Sequence, residues 1–514
     1  MVGMDYLLKM KVWFSILFFF QLLALNVAGK TVTLVKNILL EKQITQKNVI
    51  YVIRHRFDLQ GESVSIPDGC TLRFEGGCIT NGILTGRETY VELKKSKPVF
   101  KDVLLKGIFK SDKFPINCFI SNKLDFFYSF LQAFSGTNLY LIRDYSVTDY
   151  LGEIDGATPR SLVIDGRGHK LTLYSFGAYK LEQCCLKNIT IESRNNISPK
   201  NKWKTDKFNF GLVGCFEKST LEIENVTFTK ECGHAYLRGF KKLEISNCSE
   251  DGSYFFVYDC DNVSFHNNSI ANSTGGYYSI GRQTESGKVE IHDNVFRNIN
   301  GGGIILSGGL KYNVSIVNNE LENVGGGGAM KSGINIHPRG TINVSNNRII
   351  ANKGASTLDI DAARAEYYSN QNVVTVENNV IELRAGESGT NSMALVGLAK
   401  LYLRNNSIKD QVFYFWDTPY MEFCNNTVSF SQGFDKSTYI GKMSTHPQTE
   451  SYNYKHIYRN NTFDIPYAKG YVFFEYISKA PVRIIGEGNA YSNRIDFVDQ
   501  YKKFDASGDI KIYR

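Results

Sequence analysis

Over most of the chain, alternating apolar and polar positions run into a pair of asparagines and restart at once with another apolar residue. The pattern reads VSFHNNSI at 263 to 270, VEIHDNVF at 289 to 296, VSIVNNEL at 314 to 321, INVSNNRI at 342 to 349, VTVENNVI at 374 to 381, LYLRNNSI at 401 to 408, MEFCNNTV at 421 to 428 and HIYRNNTF at 456 to 463. Period-two alternation predicts strands. Asparagine tolerates the left-handed backbone that a sharp turn from strand to strand demands, and its short amide bonds locally. The second residue of each pair falls at 268, 294, 319, 347, 379, 406, 426 and 461, so the spacing is irregular but always of repeat size. Such a chain predicts a stack of coils in which each turn recurs roughly 4.8 Å above the last, close enough for the amides to form a ladder.

Two further stretches carry a likeness to known proteins. IPDGCTLRFEGG at 66 to 77 resembles the opening of secreted bacterial β-helix proteins, and SLVIDGRGHKLTL at 161 to 173 resembles a coil of the pectate-lyase-like superfamily. The resemblance implies an all-β fold, a single right-handed parallel β-helix running from about residue 60 to 490, with a short N-terminal capping helix. LDFFYSFLQAF at 124 to 134 has the spacing for that helix. The scaffold hosts lyases, hydrolases, phage tail spikes and binding proteins, so it implies a fold and leaves function open. The Asn-Thr-Asp, Asp-Asp, Gly-His-Gly and Arg-Ile-Lys strings of polygalacturonases do not occur, nor does the Arg-x-Pro-x-x-Arg motif of pectate lyases. No catalytic residue follows by match.

Lys9 and Lys11 precede an apolar run from Val12 to Leu25 and the small residues Val27, Ala28 and Gly29, which is the order of an export signal cleaved near Lys30. The expected organisation is therefore a leader at 1–29, an N-terminal β-rich cap with the first coils at 30–120, the parallel β-helix at 121–470 and a C-terminal coil and cap at 471–514. The location implied is periplasmic, cell-surface or extracellular, without a stable membrane anchor. The segment rich in Tyr and Phe from Tyr452 to Tyr476 is expected to cover the last open strand edge. Ten cysteines are scattered without zinc spacing, and Cys248 and Cys424 fall beside the asparagine turns, so buried free thiols are expected.

A net charge of +8 favours acidic partners, yet no basic run or RNA-binding motif points to nucleic acid, and an acidic polysaccharide fits better. Counting back from the turns places an outward strip on the preceding strand: Tyr236, Arg238, Tyr258, Ser307, His337, Asp359, Asp361 and Trp416, with Phe256, Asn335 and Tyr414 beside them and Arg282, Arg339 and Arg364 nearby. The candidate catalytic residues are His337, Asp359 and Asp361. Tyr236, Arg238, Tyr258, Arg282, Ser307, Arg339, Arg364 and Trp416 are candidates for binding substrate. Asp359 and Asp361, two apart on one strand, suit the acid and base of a glycosidase. Equally, His337 or Arg339 suits a lyase base beside a uronate, with Tyr258 or Tyr236 as acid and an arginine on the carboxylate. The expectation is a polysaccharide-binding protein that cleaves its ligand as lyase or glycoside hydrolase; the alternative is a noncatalytic glycan-binding or surface β-helix. No His-x-His or His-Glu-x-x-His spacing proposes a metal, and no cofactor is expected. Oligomeric state stays open.

Overall fold

The computed structural model describes residues 30–149, 157–193, 210–232, 234–281, 286–308, 311–326, 332–337, 339–352, 355–361, 372–384, 393–431, 439–445, 452–465, 472–477, 479–492, 495–499, 504–510 and 512–513. The expected leader at 1–29 lies outside them. The chain divides into two compact units, with the boundary between Thr137 and Asn138.

In the N-terminal unit, parallel strands begin already at Thr31–Thr33 and centre on two long strands, Cys78–Leu93 and Phe100–Lys110, paired in parallel. The helix Leu124–Ala133 forms where its apolar spacing predicts it. Its Phe130, with the following Phe134, packs on Phe114 at ring distances of 5.7 and 4.6 Å, and Phe119 stacks on Phe130 at 4.7 Å, so the helix closes this unit with an aromatic plug.

The second unit is built from coils of three strands, every pairing parallel. One coil runs Ala235–Arg238, Lys242–Ser246, Ser249–Asp251; the next runs Phe255–Tyr258, Asn262–His266, Ser269–Ala271 and lies on it in register. Alternation fills the interior: Leu237, Val257, Ile336, Ile360, Leu395 and Phe415 are all buried.

At the corner between second and third strands, the two turn residues divide the work. The first of each pair, such as Asn267, Asn318, Asn346, Asn378 and Asn405, takes a φ between 55 and 57°. The second points inward and joins a ladder, Nδ2 of Asn268 to Oδ1 of Asn294 at 3.1 Å, then Asn294 to Asn319, Asn347, Asn379, Asn406, Asn426 and Asn461 at 2.9 to 3.2 Å. Cys248 occupies the ladder position one coil earlier, where its backbone N–H donates to Asn268.

The ladder does not end where the regular repeat does. Asn461 donates on to Asn489 and Asn489 to Asp509, and the strand Tyr454–Arg459 is itself covered by Val482–Glu487. Tyr452 to Tyr476 therefore does not cover an open edge; Tyr454, Tyr458, Phe463, Phe474 and Tyr476 are buried in additional coils. Cys70, Cys184, Cys232, Cys248, Cys260 and Cys424 are buried thiols outside any disulfide, as expected, whereas Cys215 is exposed.

One of these late coils buries a histidine completely. His456 sits at a core position, its Nε2 2.9 Å from the Thr418 carbonyl and its Nδ1 3.4 Å from the Tyr476 hydroxyl, which lies 2.7 Å from the Tyr458 hydroxyl. A carbonyl only accepts, so Nε2 carries the proton, Tyr476 donates to Nδ1 and Tyr458 donates to Tyr476. Burial holds the imidazole neutral, with its pKa lowered from 6.5 to about 4. The unfolded chain thus takes up the proton first as pH falls. The contribution of this neutral histidine is complete above the unfolded value and is lost as pH drops from 6.5 towards 4, on the order of 3 kcal/mol over the whole window. Denaturant titrations at a series of pH values should show this loss, and His456→Gln should flatten it.

Candidate functional site

Among the described residues, the first strand of each coil contributes to a fourteen-stranded parallel sheet whose outer face carries the candidate residues. Strand register aligns them in two columns. The first runs Tyr236, Phe256, Tyr278, Ile305, Asn335, Asp359, Ala394, Tyr414 and Lys442. The second contains Arg238, Tyr258, Ile280 and Ser307, and further along Asp361, Val396, Trp416 and Ser444. At about 4.8 Å per coil the strip from Tyr236 to Lys442 spans roughly 40 Å. All of the expected outward residues on the described strands fall on it, while Arg282 and Arg364 lie outside the described residues.

His337 comes one residue after the Ile336–Ile360 pair, which puts it beside Asp361, and its backbone N–H donates to the Leu306 carbonyl at 2.8 Å. Asp359 and Asp361 are half-buried on the short strand Leu358–Asp361. Asn335, directly below Asp359, donates from Nδ2 to Asp359 Oδ2 at 3.2 Å. Its own Oδ1 is buried and lacks a hydrogen-bond partner, as does the indole Nε1 of Trp416, two coils beyond the carboxylates. An acceptor and a donor with unmet hydrogen bonds thus lie on either side of the carboxyl pair.

Several candidates are already engaged. Arg238 forms an ion pair with Asp259 at 3.1 Å and lies over the Tyr258 ring at 4.7 Å, so its fork is turned to residues of the next coil. Tyr236 is buried, which pushes its phenol up to about 12, far from the range that suits a proton donor near neutrality. The aromatic residues are arranged differently from a row of open stacking plates. Tyr236, Phe256 and Tyr278 stack on one another at 5.7 and 4.8 Å, so the middle ring has both faces covered and the pile presents mainly ring edges. Trp416 faces outward with Tyr414 against it at 6.3 Å, and Tyr414 reaches Ser444 through a 3.2 Å hydrogen bond.

Tyr278 and the Lys442–Glu475 pair, 3.6 Å apart, belong to the strip but escape sequence counting. A fixed offset of ten residues from the turn holds for Arg238, Tyr258, His337 and Trp416. It fails where the link between first and second strands is longer: Ile280 precedes Asn294 by fourteen residues, and Ser444 precedes Asn461 by seventeen. The tyrosine-rich GGYYSIG string was the available signal for Tyr278.

Among the described residues, no three His, Cys, Asp or Glu side chains converge to hold a metal, and no helix is long and apolar enough to cross a membrane.

Parallel three-stranded coils, an inward asparagine ladder and one long outward face define a right-handed parallel β-helix, an all-β solenoid. Consistent with this, residues 211–361 match the family model of the right handed beta helix region, a span that includes His337, Asp359 and Asp361. No curated protein and no solved structure matches the chain.

Proposed function

We propose that this β-helix binds a polysaccharide along the outward strip and hydrolyses it at Asp359 and Asp361. The observation carrying this reading is the carboxyl pair itself, two residues apart on one strand face, with Asn335 bonded to Asp359 and His337 in the adjacent coil. The amide of Asn335 orients the Asp359 carboxyl group, which suits Asp359 to the role of base or nucleophile with Asp361 as its partner acid. The lyase alternative is weaker on this strip: Arg238 is paired with Asp259, and Tyr236 is buried and held protonated.

A noncatalytic glycan-binding protein is the second reading, favoured by the length of the strip, most of which lies away from the carboxyl pair. A panel of neutral and uronate-bearing glycans decides between them, read by reducing ends released, by ultraviolet absorbance of unsaturated uronates and by direct binding. Reducing ends without the unsaturated product are expected. Unsaturated product would establish a lyase, and binding without cleavage would establish the noncatalytic protein.

A further inference from the structure

One ionisable side chain lies where the coil pattern calls for an aliphatic one. Glu250 is in the third strand Ser249–Asp251, paired in register with Phe228 below and Ile270 above, and only 2% of it is exposed. Neither carboxyl oxygen has a hydrogen-bond partner of normal geometry, and the hydroxyls of Thr229 and Ser253 beside it are likewise buried and unmatched. The titratable groups facing it are the thiols of Cys232 and Cys248, both buried, which donate to the carbonyls of Ile191 at 2.9 Å and Ser246 at 3.2 Å. The charged residues of the surrounding strands and turn are elsewhere: Lys230 and Asp251 are exposed, and Glu224 is half-buried. No cation among the described residues pairs with Glu250.

A bare carboxylate in this position would cost several kcal/mol of lost hydration, whereas the protonated acid is tolerated. Burial accordingly raises the Glu250 pKa well above its ordinary value, against a smaller opposing effect of the Ser253 hydroxyl. The same coil contains the strand Ala235–Arg238, which supplies Tyr236 and Arg238 to the outward strip.

We infer that this coil, from Thr220 to Asp251, is a pH-gated element: it stays closed while Glu250 carries a proton, and ionisation opens it and releases Tyr236 and Arg238 from the ligand face. In the opened coil Glu250 titrates as an ordinary glutamate. The closed form binds the proton more tightly, so above that ordinary value each rise of one pH unit increases the open population about tenfold until the closed form itself ionises.

Cys232 and Cys248 are built-in reporters, because alkylation needs both opening and a thiolate. In the full-length protein, iodoacetamide labelling of each cysteine is followed by peptide mass spectrometry between about pH 6 and 8. The exposed Cys215 reports thiolate formation alone, about tenfold per pH unit. Cys232 and Cys248 should instead accelerate about a hundredfold per unit, the product of the two factors. In Glu250→Gln, and in Glu250→Leu as a shape-matched apolar control, their slope should fall to that of Cys215. A wild-type slope equal to that of Cys215 would overturn the gate by itself, whether or not the variants fold. A steep slope surviving in Glu250→Leu would overturn it as well. Suppression of labelling by sodium or potassium at constant ionic strength and pH would show that a metal cation, rather than a proton, neutralises the carboxylate.

Discussion

Replacing Asn347 with alanine is expected to destabilise the protein by about 3 to 5 kcal/mol, although the residue is remote from the ligand face. Its Oδ1 accepts from both the backbone N–H and the Nδ2 of Asn319, at 2.9 and 3.0 Å. Its Nδ2 donates to the Ile316 carbonyl at 2.8 Å and to Asn379 Oδ1 at 3.1 Å. Alanine leaves the buried backbone N–H of Asn319 without its acceptor, worth about 1 to 3 kcal/mol, removes the amide's bonds to Ile316 and Asn379, and interrupts the ladder between coils above and below. Asn346 is the contrasting case. It is exposed and holds a φ of 56°, so alanine there should cost only about 1 to 2 kcal/mol and glycine should be nearly neutral. Urea unfolding of the three variants checks the difference. Equal losses at 346 and 347 would mean that the turn conformation, not the ladder, holds the corner together.

The largest expected effect on activity is at the carboxyl pair. Asp361→Ala and Asp359→Ala should each lower turnover at least about a hundredfold on the glycan found by the panel, and His337→Ala should do the same if it relays the proton. Thermal unfolding should hardly change, because all three side chains are on the outward face and the inward neighbours Ile336 and Ile360 carry the packing. Asn335→Ala should have a smaller effect on turnover, since Asp359 would lose the donor that orients its carboxyl group. Wild-type turnover in both aspartate variants would remove the chemistry from this part of the strip.

Much of the scaffold was legible in the sequence because its causes are local and repeat. Period-two alternation states which side chains face inward, and Asn-Asn states where the strand turns, so the coils, the corner and the outward facing of Arg238, Tyr258, His337, Asp359, Asp361 and Trp416 could all be read from short strings. Which asparagine does what was less legible: the left-handed residue and the ladder residue are adjacent and chemically identical, and only burial separates Asn346 from Asn347.

Tertiary structure decided whatever depends on a neighbour one coil away. That neighbour is some twenty to thirty-five residues distant in sequence, and the length of the intervening loop sets its identity. Arg238 therefore looked available for a carboxylate until register brought Asp259 against it, and the tyrosines looked like open plates until Phe256 was found between Tyr236 and Tyr278. The same applies to the interior. SEDG and YKHIY carry no mark that distinguishes Glu250 and His456 from solvated residues, because alternation fixes a side chain's direction only once the strand's register in the stack is known. By itself the sequence determined a stack of coils and the face that meets solvent; the stacking of those coils determined which charged groups are paired, which rings are covered and that Glu250 and His456 are sealed in the core.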